Sequence, residues 1–124
     1  MRQTVDRNTS SKELERFLMV AEAYRHESGR RAFMPACPVD TEWHRILKQP
    51  DDYRKFCHAA VARDVLHEPS QGEGEIGWLG TYERLYGRLP EIWFRSTDGI
   101  LDMSRRQKYL DTGVFYASWE CNPY

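Results

Sequence analysis

Residues 10–28 constrain this chain more than any other stretch. Leu14, Phe17, Leu18, Ala21 and Tyr24 recur at the spacing of one helix face, while Glu15, Arg16, Glu22 and Ala23 fall on the other side. Ser10 followed by Glu13 has the capping-box pattern that satisfies two otherwise unpaired backbone donors. Ser28-Gly29 provides the stop. An amphipathic helix of this length needs apolar partners, and the rest of the chain supplies them in short, well-punctuated segments.

Val39, Trp43, Ile46 and Leu47 predict a second helix over 39–48, broken by Pro50. Pro50-Asp51-Asp52 opens a third, over 51–66, with proline in the first turn and acidic side chains at the positive end of the dipole. Its stripe is Tyr53, Phe56, Cys57, Ala60 and Val61. Pro69 and Ser70-Gln71-Gly72-Glu73-Gly74 read as a surface loop. A fourth helix is expected over 75–86, carrying Trp78, Leu79, Tyr82, Leu85 and Tyr86, with Gly87 as its C-cap. Asp98 caps a last helix with Ile100, Met103 and Leu110, unless Thr97-Asp98-Gly99 is a hairpin turn. The expectation is all-α: one domain of four or five helices over 10–113, with Phe17, Leu18, Trp43, Leu47, Phe56, Ala60, Leu79 and Tyr82 in a single core. Residues 1–9 are expected to form a flexible arm.

Residues 114–124 are too aromatic for a solvated tail. Phe115, Ala117 and Trp119 alternate with Tyr116, Ser118 and Glu120, which suits an extended strip with one apolar face docked on the helices. Such a strip carries Cys121 to the domain surface, where it either approaches the histidines or stays free.

The chain has 124 residues, enough for one core without disulfides. Eighteen basic against nineteen acidic residues leave a charge of -1, which argues against general nucleic-acid binding. No apolar run is long enough for a membrane span, and the first residues lack a hydrophobic signal region. Cys37, Cys57 and Cys121 form no CxxC pair and read as reduced thiols. These features predict a soluble, cytoplasmic protein.

No GxSxG, P-loop, GxGxxG or HExxH motif is present. Helix geometry distinguishes the four histidines. At about 100° per residue, Cys57, Ala60 and Asp64 share a stripe that His67 rejoins if the third helix runs on. A carboxylate on an apolar face needs a partner, and Asp64 should find it in His67 or an arginine. Asp40 and His44 stand at i and i+4, so the carboxylate can orient the imidazole from behind as it does in many metal sites. Close packing of the two helices brings His44 toward Cys57, Asp64 or His67. His26 and His58 fall on charged surfaces.

Val39-Asp40, Trp43-His44, Tyr53, Phe56-Cys57, Leu66-His67, Pro69, Tyr82, Tyr86-Gly87, Pro90 and Trp93 occur in an order that resembles the core of the glycine-rich domain-containing protein-like family. The resemblance covers residues 37–93. It implies a small helical domain and carries no established activity. Ile46 stands where members often have a second histidine, Arg63-Asp64 where an aromatic-Gly pair is usual, and the glycine-rich tail is absent.

Three functions compete. The leading expectation is a binding or accessory module for a protein or peptide partner, with Tyr116, Trp119 and Cys121 as contact residues, because Trp and Tyr anchor interfaces. The alternative is a metal-dependent enzyme or metal-binding protein using His44 and His67 with Cys57 or Asp64, the metal being Zn, Cu or Fe. A third is a carrier whose 118–124 segment is itself modified.

Overall fold

The computed structural model describes residues 7–124. Among the described residues five α-helices are combined with a three-stranded antiparallel sheet, so the fold is mixed α/β rather than all-α. The elements are α1 (Arg7–Ser28), β1 (Met34–Pro35), α2 (Pro38–Leu47), α3 (Pro50–Val61), β2 (His67–Glu75), α4 (Leu79–Tyr86), a 3-10 turn (Glu91–Phe94), α5 (Met103–Thr112) and β3 (Tyr116–Pro123). Among the described residues no helix is long and apolar enough to cross a membrane.

The sheet escaped the sequence reading because its two partners for β3 look nothing like strands. The order is β1-β3-β2, which puts the C-terminal segment in the centre. β1 is two residues long, and β2 is the polar HEPSQGEGE stretch, whose residues 69–74 read as a surface loop in the sequence. Both are edges, where Pro69 and the charges of Glu68, Glu73 and Glu75 are tolerated. A register irregularity between Pro69 and Gly72 takes up the mismatch. Trp119 explains the glycine: a Cβ at Gly72 would lie 2.7 Å from its ring. On β3 itself Ala117 is buried while Tyr116, Ser118 and Glu120 are exposed, the period of two expected for a half-buried strand.

Several helix ends also differ from expectation. Residues 7–9 belong to α1, and residues 1–6 of the expected arm lie outside the described residues. Ser10 and Glu13 sit inside α1 and are buried, so they do not cap it. α3 stops at Val61, where Ala62 adopts a left-handed conformation (φ 59°) as C-cap. α4 begins at Leu79 rather than 75, consistent with Gly77 weakening its first turn. Residues 96–99 form the turn of the rival reading, Gly99 donating to the Ser96 carbonyl at 2.8 Å, and Asp102 caps α5 by accepting from the Arg105 amide at 2.9 Å.

Phe17 occupies the centre of the core, with its ring 5.4–6.0 Å from those of Trp43, Trp78 and Trp93. Leu18, Leu79 and Tyr82 are buried around it, while Leu47, Phe56 and Ala60 are partly buried at its edge. Glu13 is buried in the same layer. Its carboxylate accepts from the Tyr82 hydroxyl at 2.6 Å and the Trp93 indole at 2.9 Å, and pairs with Arg16 at 3.3 Å. No buried side-chain polar atom is left without a partner among the described residues, as a stable core requires.

Three tyrosines are held neutral by this packing. Burial raises the pKa of Tyr53, Tyr82 and Tyr109 above the ordinary value of 10.0, that of Tyr109 to about 12, and carboxylates accepting from Tyr82 and Tyr109 add to the rise. A folded pKa raised above the unfolded one confers stability that is complete below pH 10 and lost as pH rises toward the folded value. Spectrophotometric titration should therefore find three of the seven tyrosines ionising only together with unfolding, above pH 10. Titration of all seven in a still-folded chain would contradict this packing.

Candidate metal centre

Three elements that are distant in sequence place their polar groups on one spot. α2 starts with Pro38 in its first turn, and its i, i+4 spacing aligns Asp40 and His44 on one face. β2 and β3 pair antiparallel with His67 opposite Pro123 and Pro69 opposite Cys121. His67 and Cys121 are thus diagonal neighbours on the same face of the sheet. The entry into β2 is pinned by Tyr53, whose hydroxyl donates to the Val65 carbonyl at 2.6 Å and accepts from the Trp43 indole at 3.1 Å. Trp43 in turn meets His67 edge to face, with ring centroids 4.7 Å apart.

The result is a cluster of Asp40, His44, His67 and Cys121, whose donor atoms all lie within 4.8 Å of one another. The two imidazole Nε2 atoms are 3.0 Å apart. His44 Nε2 is 3.6 Å from Asp40 Oδ1, and the Cys121 thiol donates to that same oxygen at 3.3 Å. Asp40 and Cys121 are 8% and 1% exposed. His67 is half-buried and the His44 side chain is 47% exposed, so the cluster is closed toward the core and open to solvent on the histidine side.

These distances can be compared with a zinc tetrahedron. Zn–N and Zn–O bonds of about 2.0–2.1 Å and a Zn–S bond of about 2.3 Å imply N···N, N···O and S···O edges of roughly 3.3, 3.4 and 3.6 Å. Three of the six edges, at 3.0, 3.6 and 3.3 Å, differ from these by a few tenths of an ångström, and all four donors lie within 4.8 Å of one another. Mixed imidazole, thiolate and carboxylate donors suit a borderline ion of this kind.

Burial within the cluster favours neutral groups. Burial, and then the neighbouring His44, lower the pKa of His67 below 6.5. Burial raises that of Asp40, against the opposing pull of the Cys121 hydrogen bond and the two histidines. Burial and the Asp40 charge push the Cys121 thiol well above its ordinary range. A divalent cation reverses the last effect: it takes neutral imidazole and stabilises thiolate and carboxylate, whose two negative charges balance its own.

The structure brings together His44 and His67, the two histidines singled out in the sequence, but with different companions. Asp40 lies among the donors rather than only behind His44. Cys121 supplies the thiol; of the two outcomes weighed for it, approach to the histidines is the one observed. Cys57 is fully buried on α3. Asp64 follows the end of α3, is 69% exposed, and bonds His58 at 2.7 Å, with Arg54 at 3.9 Å. The stripe that joined Asp64 to Cys57 does not exist, because the helix ends before it. His26 pairs with Glu22 on the surface. Of the expected contact residues, Tyr116 is exposed and Trp119 stacks on Phe33.

Comparison with protein-family models, with curated proteins and with solved structures gives no match.

Asp64 offers a direct check of the helix boundary. As an exposed residue with a surface partner, its replacement by Asn should shift the melting temperature by less than about 2 °C. A loss of about 3–5 kcal/mol, the cost of breaking a buried pair, would restore the longer helix.

Proposed function

We propose that the protein binds one divalent transition-metal ion, zinc by preference, through Asp40, His44, His67 and Cys121. The observation that carries this reading is the convergence of four chemically suited donors from α2, β2 and β3 within 4.8 Å. Such an ion ties the helical layer to the central strand and the edge strand of the sheet, so its binding energy adds to folding.

Metal analysis of untagged protein tests the reading. About one zinc per chain is expected, and excess zinc at 100 times Kd should raise the melting temperature by about 10 °C. His44→Ala, His67→Ala and Cys121→Ser should each lose the metal, and Cys57→Ser and Asp64→Asn should keep it. Sub-stoichiometric metal indifferent to all five substitutions would remove the proposal.

A further inference from the structure

A second site is built around the Trp119 ring. A cavity of about 380 Å³ opens between the C-terminal end of α1, the 30–33 segment and the connection from β2 to α4. That volume lies at the small-ligand end of the range for binding pockets. Tyr24, Phe33, Ile76 and Trp119 supply its apolar lining, and Arg30 and Glu75 flank it with opposite charges.

The lining side chains are held in place by packing and a hydrogen bond. Phe33 and Trp119 stack face to face, with centroids 4.5 Å apart and planes 5° from parallel. The Trp78 indole donates to the Phe33 carbonyl at 2.8 Å, which holds that residue from below. A Cβ at Gly77 would meet the Tyr24 hydroxyl at 2.5 Å, so the absent side chain gives the tyrosine its place.

The charges are the informative part. Arg31, also at the cavity, is engaged by the Glu68 carboxylate and lies over the Tyr124 ring at 4.1 Å. Arg30 and Glu75 are different: among the described residues neither side chain makes an ion pair or hydrogen bond, and they do not pair with each other. A simple anion here would be opposed by Glu75, and a simple cation by Arg30. A molecule carrying both charges and a ring satisfies all three features at once.

We propose that this cavity binds a free aromatic α-amino acid. Its ring lies among Tyr24, Phe33, Ile76 and Trp119, its carboxylate pairs with Arg30, and its ammonium pairs with Glu75. Charge-assisted hydrogen bonds at both ends give the selectivity that an apolar lining alone lacks.

The test is titration of the full chain with L-phenylalanine, phenylacetate and phenethylamine, followed by the Trp119 indole resonance and by calorimetry. L-phenylalanine should bind saturably, and each analogue, lacking one charge, about tenfold more weakly. Arg30→Gln should weaken phenylalanine and phenylacetate by about tenfold and leave phenethylamine unchanged. Glu75→Gln should weaken phenylalanine and phenethylamine and leave phenylacetate unchanged. Both positions are exposed, so the variants should keep the wild-type melting temperature. Absence of saturable binding up to the solubility limit would overturn the assignment. Equal binding of all three compounds, or indifference to both substitutions, would overturn it as well.

Discussion

The pairing of β3 with both its neighbours is the interaction on which the functional geometry rests. β3 is the last element of the chain, yet it is the central strand, hydrogen-bonded to β1 on one side and to β2 on the other. One register fixes two sites. Cys121 opposite Pro69 lands beside Asp40, and Trp119 opposite Gly72 lands beside Phe33. A slip of one residue would turn both side chains to the other face. To present the C-terminal segment to a modifying enzyme, both pairings would have to open, which gives the carrier reading no support from the geometry.

The aromatic core holds the helical layer against which that sheet packs. Phe17 packs on three tryptophans, from α2, from the connection into α4 and from the 3-10 turn, and Glu13 joins α1 to α4 and the 3-10 turn through the Tyr82 hydroxyl and the Trp93 indole. A buried carboxylate is tolerable only when its oxygens are occupied, and here three donors occupy them. Trp43 connects this core to the metal cluster, since its indole bonds Tyr53 and its ring meets His67. The orientation of α2, and so of Asp40 and His44, follows from core packing rather than from the cluster itself.

The helices were legible because their apolar residues recur at a period that only a helix satisfies, as at Phe17, Trp43, Phe56 and Tyr82. The sheet was not, because β2 carries no β-branched or aromatic residue and includes a proline and two glycines. Its strand conformation is imposed by the backbone of β3 and by the room that Trp119 requires over Gly72. His44 and His67 could be singled out from chemistry and spacing. Cys121 could not be placed firmly, since its position depends on pairing with a stretch that resembles a loop. Asp64 was misplaced for a local reason: Ala62 enters the left-handed region and ends α3 before the carboxylate can join its stripe. No residue pattern announces a non-glycine C-cap of this kind.

The proposed centre requires that Cys121, and neither of the other thiols, ligates a metal held by the two histidines. Cobalt(II) substitution reads this directly, because a tetrahedral cobalt–thiolate centre has intense d–d bands and a sulfur-to-metal charge-transfer band. The account predicts both signals in the cobalt-loaded protein, unchanged in Cys37→Ser and Cys57→Ser and without the charge-transfer band in Cys121→Ser. Weak octahedral absorption in the wild-type chain, or a charge-transfer band that survives Cys121→Ser, would contradict it.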